Sequence, residues 1–178
     1  SKILKVLQKP FMCENREISI NASIGISIYP KDAKTTTDLL KFADIAMYEV
    51  KDKGRDGIVV FGDEVAKKVE RNLEIERLLH LGLVKNEFQL YFQPQVDKNH
   101  SIQGCEVLLR WNSQELGWVS PAEFIPIAEK TGVIIDIGNY VIEETFKTLR
   151  EWNENDIRLN QISINVSMRQ FYHYAFIE

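Results

Sequence analysis

Glu106 and Arg110 stand four residues apart in the stretch GCEVLLRW, residues 104–111. A strand repeats every two residues, so Glu106, Leu108 and Arg110 share one face. Two further segments offer polar stripes of the same kind. FQLYFQPQV places Tyr91, Gln93 and Gln95 on one face, and ISINVS places Ser163, Asn165 and Ser167 on one face. Glu106 and Asn165 are hard oxygen donors suited to Mg2+, Mn2+ or Ca2+. Arg110 carries the fork that holds a phosphate at two points. A metal beside a bound phosphodiester supplies a hydroxide nucleophile and neutralises developing charge. The same residues also admit a plain structural reading: an ion pair on a solvated strand face, and an asparagine serving a turn.

The elements that must position these groups follow from periodicity. SKILKVLQKPF opens as a short helix that ends before Pro10. EISINASIGISIYP alternates over many residues and is expected to form one buried strand stopped by Pro30. TTDLLKFADIAMYEVKDKG predicts a helix with Gly54 as its C-terminal cap, and GIVVF a short strand after it. From Asp63 to about Leu83 the chain is charged and nearly free of turn residues. Val65, Val69, Leu73 and Leu79 fall roughly along one side, which predicts an amphipathic linker helix, with a dimerisation seam as the alternative.

Beyond the linker, FQLYFQPQV and IQGCEVLLRW are separated only by DKNHS, so they are expected to pair as an antiparallel hairpin. Pro94 should weaken that ladder locally. VSPAEFIPIAEKTG has Ser120 at N-cap, Pro121 at N1, Glu123 at N3 and Gly132 past its end, a complete helix signature. A longer helix then leads into QISINVS, giving the βα rhythm of a parallel sheet. Helices over one face of such a barrel would turn the polar stripes inward, toward the end where barrel sites lie. ISINAS and ISINVS look alike, but their flanks share nothing and no repeat is inferred.

The chain has 178 residues, 44% of them apolar and 27% charged, which describes a globular protein. A net charge of −4 gives no positive field to attract DNA, RNA or anionic membranes. Cys13 and Cys105 sit in apolar surroundings, which suits a reducing compartment better than a disulfide framework. His80, His100 and His173 show no metal-ligand spacing, and no apolar run approaches a membrane span. The chain opens inside a helical pattern and stops without a terminating signal, so it is expected to be part of something longer.

The block LYFQPQVDKNHSIQGCEVLLRWNSQELGWVSPAEFIPIAEKTGVI, followed by INVSMRQF, resembles the first half of an EAL domain. That family comprises bacterial cyclic-di-GMP phosphodiesterases on a (β/α)8 barrel whose first strand is antiparallel. ASIGISIYP and ADIAMYEVKDKGRDGIVVF resemble the C-terminal half of a GGDEF domain, the diguanylate cyclase family. The implied fold is α/β, with residues 1–62 as part of a GGDEF domain, 63–86 as a linker helix and 87–178 as the N-terminal part of an EAL barrel.

The resemblance also assigns roles. The signature reads EVL, in which Glu106 matches the metal-binding glutamate and Val107 replaces the usual alanine, with its side chain expected to face away from the ligand. Asn165 matches a second metal ligand, Arg110 the arginine that grips a substrate phosphate, and Gln93 a residue near the guanine base. Lys51 and Arg55 match cations that touch the nucleotide triphosphate in active cyclases. On residue grounds alone the pair reads first as a cationic helix end complementing the dipole. The remaining catalytic acids and the lysine are expected after Glu178, and the GGDEF signature before Ser1.

The implied activity of the parent protein is hydrolysis of cyclic-di-GMP to linear pGpG with Mg2+ or Mn2+, the 178-residue piece being inactive alone. The alternatives are an inactive cyclic-di-GMP receptor or scaffold, and a diguanylate cyclase. The implied partners are cyclic-di-GMP, GTP at the cyclase-like half, and a second copy in a homodimeric parent, with no DNA or RNA. The implied location is cytoplasmic, with any membrane anchor outside this chain.

Overall fold

The computed structural model describes residues 2–52 and 54–172, so His173 and the rest of the closing segment lie outside the described residues. The chain divides into two compact units, Ser1–Arg71 and Asn72–Glu178.

The first unit begins with α1 (Lys2–Leu7), which ends ahead of Pro10 as its sequence predicts. Strands β1 (Phe11–Cys13) and β2 (Arg16–Ile18) then pair antiparallel. Their turn places Glu14 and Asn15 both at positive φ, 45° and 64°. Two successive positive φ values are what a two-residue hairpin of primed type demands. Next come β3 (Ser23–Ile26), α2 (Thr36–Asp52) and β4 (Gly57–Val60), with β3 and β4 parallel. Gly54 closes α2 in the left-handed region at φ 101°.

The single buried strand expected across EISINASIGISIYP does not form. Its alternation is divided between β2, which pairs with β1, and β3, which pairs with β4, with no ladder joining the two pairs among the described residues. The ladder partner changes between Ile18 and Ser23, and all three residues of β2 are exposed. Alternation reports two-sided geometry, and it carries no information on which neighbour supplies the hydrogen bonds. β3 lies against α2 so closely that a Cβ on Gly25 would stand 1.9 Å from the Ala43 carbonyl oxygen. Phe42 and Phe61 stack at 4.4 Å beside buried Ala46 and Val50. Glu49 is buried too, and Lys68 Nζ reaches it at 2.6 Å, compensating the desolvated charge.

Helix α3 (Asp63–Val84) contains the boundary between the two units. Its buried positions are Ile75, Leu78, Leu79 and Gly82, at i, i+3, i+4 and i+7. Leu73, expected on the apolar side, is 60% exposed. The second half of the linker helix therefore contributes to a core.

That core belongs to the second unit. Strands β5 (Phe88–Val96) and β6 (Ile102–Ser113) pair antiparallel, and the register slips between Gln95 and Val96, next to Pro94. A third antiparallel strand, β7 (Gly117–Val119), joins β6 near its C-terminal end, and periodicity does not predict it. Helices α4 (Pro121–Thr131) and α5 (Ile134–Glu154) follow, then β8 (Gln161–Ile164) and α6 (Met168–Phe171). β8 pairs parallel with β6, on the edge that β7 also uses. The expected capping of α4 is present in full: Ser120 and Glu123 close a capping box, and Gly132 ends the helix at φ 94°. Arg169 of α6 donates to the Glu129 and Lys130 carbonyls at the α4 C-terminus.

Trp111, Phe124, Ile75, Leu79, Ile137 and Val119 are fully buried in one cluster. Phe88 stacks on Trp111 at 5.4 Å and meets Phe124 edge-on at 5.8 Å. Buried Glu87 ties this cluster to the sheet. It accepts from Trp111 Nε1 at 3.0 Å and from the Gln114 backbone at 3.2 Å. Odd-numbered β6 residues thus face the helices, and even-numbered ones face the other way.

Candidate functional site

The face of the sheet opposite the helices carries the polar stripes. Gln93 lies directly across from Glu106 in the β5–β6 ladder, and Ser163 stands across from Glu106 on the other side. Three strands therefore meet abreast at Glu106. Asn165 falls just past the end of β8, two residues beyond Ser163, and its Nδ2 donates to Glu106 Oε1 at 2.7 Å. Glu106 thus has an amide partner, and the ion pair with Arg110 that the strand spacing allowed is not formed.

Arg110 lies further along the same face. Its Nη1 donates to the Leu109 carbonyl at 2.9 Å, and its guanidinium sits 5.7 Å from the Tyr91 ring centroid. These contacts hold the fork by one nitrogen and one face. A pocket of about 280 Å3 opens here between Tyr91, Gln93, Leu108 and Arg110. A second cavity, about 200 Å3, is lined largely by apolar side chains such as Val107, Ile137, Val141 and Ile164, and Arg110, Asn165 and Gln170 border it as well. Arg110 borders both cavities, whereas Tyr91 and Gln93 line only the first.

Val107 points into the core at 3% exposure, away from Glu106 and Arg110. Cys105 is also buried, and burial pushes its thiol up from the ordinary value.

Glu106 and Asn165 fit a hard divalent cation. Their donors already stand at hydrogen-bond distance, and turning the asparagine amide about its last bond presents Oδ1 in place of Nδ2. Among the described residues, no group of three or more His, Cys, Asp or Glu is gathered for a metal. The pair can supply two ligands of a six-coordinate ion, the rest coming from water, phosphate oxygens or other parts of a larger domain.

In the first unit, Lys51 sits in the last turn of α2 with Nζ 5.1 Å from the Tyr48 ring. Arg55 lies in the turn beyond, at φ 66°, with its backbone N–H bonded to the Val50 carbonyl. Lys51 thus closes α2, and Arg55 lies in the loop that carries α2 into β4.

Sequence periodicity missed Trp118, which is 57% exposed on β7 and meets Tyr91 edge-to-face at 6.5 Å. The one available sign was GWVS, a glycine turn followed by two apolar residues that could extend the hairpin.

Among the described residues no helix is long and apolar enough to cross a membrane. The EAL domain profile matches residues 75–178, and the diguanylate cyclase GGDEF domain profile matches residues 1–57. The bifunctional diguanylate cyclase/cyclic di-GMP phosphodiesterase MucR of Pseudomonas aeruginosa is 35% identical over 99% of this chain and 26% of its own length. The cyclic di-GMP phosphodiesterase PdeR of Escherichia coli is 31% identical over 96% of this chain and 26% of its own. The chain thus spans about a quarter of the length of these relatives.

Among solved structures, the P. aeruginosa MucR phosphodiesterase in complex with c-di-GMP aligns with a TM-score of 0.56 and 33% identity. That alignment covers 58% of this chain and 42% of the other. The EAL enzyme Bd1971 in its cGMP-bound form aligns at 0.55 and 31%, over 83% of this chain and 38% of its own. A four-stranded sheet with an antiparallel first strand, helices on one face and Glu106 on the other is thus part of an EAL domain; the chain belongs to the EAL family, with a GGDEF-family segment ahead of it.

Proposed function

We propose that the protein carrying this chain hydrolyses cyclic-di-GMP to linear pGpG, and that the polar face of β5, β6 and the β8 end forms part of the site. The observation that carries this reading is the convergence of Glu106 and Asn165 at 2.7 Å, with Arg110 further along the same face. In this reading Glu106 and Asn165 hold Mg2+ or Mn2+. When bound, such an ion activates water and neutralises charge on the phosphate oxygens. Arg110 grips a non-bridging phosphate oxygen pair and fixes the diester for in-line attack. Gln93, opposite Glu106, hydrogen-bonds the guanine edge. Tyr91 stiffens Arg110 from beneath, which lowers the entropy lost on binding.

The GGDEF-family half takes a separate role in this proposal. Lys51 and Arg55 flank the loop after α2, where their charges suit the triphosphate of GTP.

The test is a hydrolysis assay on the full-length protein, following pGpG release with Mn2+ or Mg2+. Glu106→Gln exchanges a carboxylate ligand for a neutral amide. It should abolish turnover and severely weaken Mn2+ binding measured by titration. Equal metal affinity and equal turnover in wild type and variant would reduce Glu106 to a structural partner of Asn165. Cyclic-di-GMP binding without turnover by the wild type would make the protein a receptor.

A further inference from the structure

Trp118 presents an exposed indole on β7, and nothing in the core requires it there. Its neighbours on the strand, Gly117 and Val119, turn the other way, and Val119 alone is buried. Trp118 stands at 85° to Tyr91 with centroids 6.5 Å apart, and both rings are about half exposed. Arg110 covers the Tyr91 ring at 5.7 Å. A cation, an aromatic ring and a second ring at right angles therefore run in sequence, Arg110 and Tyr91 lining the pocket and Trp118 standing beside Tyr91.

Tryptophan is enriched at binding surfaces, where a rigid ring supplies much of the binding energy. Beside a phosphate-gripping arginine, its chemistry matches a flat π-system joined to the phosphate through one sugar. We propose that Trp118, supported at a right angle by Tyr91, is a stacking shelf for one purine base of the cyclic dinucleotide. This rests on the reading of Arg110 as the phosphate grip, and adds a residue that sets base affinity. Stacking is indifferent to the base's hydrogen-bonding edge, so Trp118 supplies affinity for purines as a class. Gln93 is left to read the edge.

The test uses the full-length protein with a chelator present, so that cyclic-di-GMP is bound and not hydrolysed. Trp118→Ala should weaken cyclic-di-GMP binding roughly five- to a hundredfold, the loss expected for one base–aromatic stack. Mn2+ affinity measured without nucleotide should stay unchanged. Trp118→Phe should retain most of the affinity and Trp118→Leu should not, because leucine keeps apolar bulk and loses the π face. That pair carries the test if the alanine variant fails to fold. Wild-type tryptophan emission should also be quenched by the ligand, and Trp118→Phe should lose that quenching. If all three variants bind like wild type while Arg110→Ala still loses affinity, the shelf is wrong and the phosphate site stands. If neither Arg110→Ala nor any Trp118 variant changes binding, the phosphate site fails with it.

Discussion

The shared face of Glu106, Arg110 and Gln93 was legible because strand parity is rigid. Once GCEVLLRW is a strand, its even-numbered side chains must share a face, and the hairpin register brings Gln93 opposite Glu106. Asn165 lies beyond the end of β8, where parity no longer applies strictly, and its bond to Glu106 could be established only in three dimensions. Trp118 was missed because a three-residue strand is too short to show a period. The two cysteines differ in burial: parity turns Cys105 of β6 inward, whereas every residue of β1 is exposed. Cys105 faces the core with its thiol pushed up by burial, whereas Cys13 is exposed. A raised thiol value means less thiolate at any given pH, and burial blocks access as well. Iodoacetamide at mildly alkaline pH should therefore label Cys13 and spare Cys105, as read by peptide mass spectrometry. Equal labelling of both would place Cys105 on the surface and invert the strand's faces.

Caps and breakers made α4 readable at the level of elements, since Ser120, Pro121, Glu123 and Gly132 each do one physically distinct job. Removing the cap tests this: Ser120→Ala should cost about 1 kcal/mol of stability in denaturant unfolding, with little change in cooperativity. Glu87 makes a larger demand. Glu87→Ala leaves Trp111 Nε1 and the Gln114 N–H without their acceptors inside or beside the core, and should cost about 1–3 kcal/mol or more. A loss below about 0.5 kcal/mol would mean water replaces the carboxylate at no penalty. The alternating segment after Glu17 shows where element reading fails. Its pattern is correct for a strand, but hydrogen-bond partners decide how far a strand runs, and those lie elsewhere in the chain. A helix forms over Asp63–Val84, yet of the side judged from Val65, Val69, Leu73 and Leu79 only Leu79 is among the residues it buries, which are Ile75, Leu78, Leu79 and Gly82.

Two separate cores shape the molecule as a whole, one around Ala46, Val50 and Phe61 and one around Trp111 and Phe124. All three tryptophans, Trp111, Trp118 and Trp152, lie in the second unit, so intrinsic emission reports on that unit alone. Gly25→Leu drives a side chain into the Ala43 carbonyl and should unfold the first unit. Far-ultraviolet dichroism should fall while tryptophan emission stays at its native wavelength. A red shift in emission would show that the two cores fold as one cooperative body.

The function proposed for the larger protein rests on the polar face of the second unit, and its most direct test is calorimetric titration of cyclic-di-GMP into the full-length protein and its Arg110→Ala variant. A charge-assisted phosphate bond is worth about 1.5 to 3 kcal/mol, so the variant should bind roughly ten- to a hundredfold more weakly. Arg110→Lys should recover only part of that loss, because an ammonium cannot reproduce the fork. Binding by Arg110→Ala as tight as that of wild type would contradict the site.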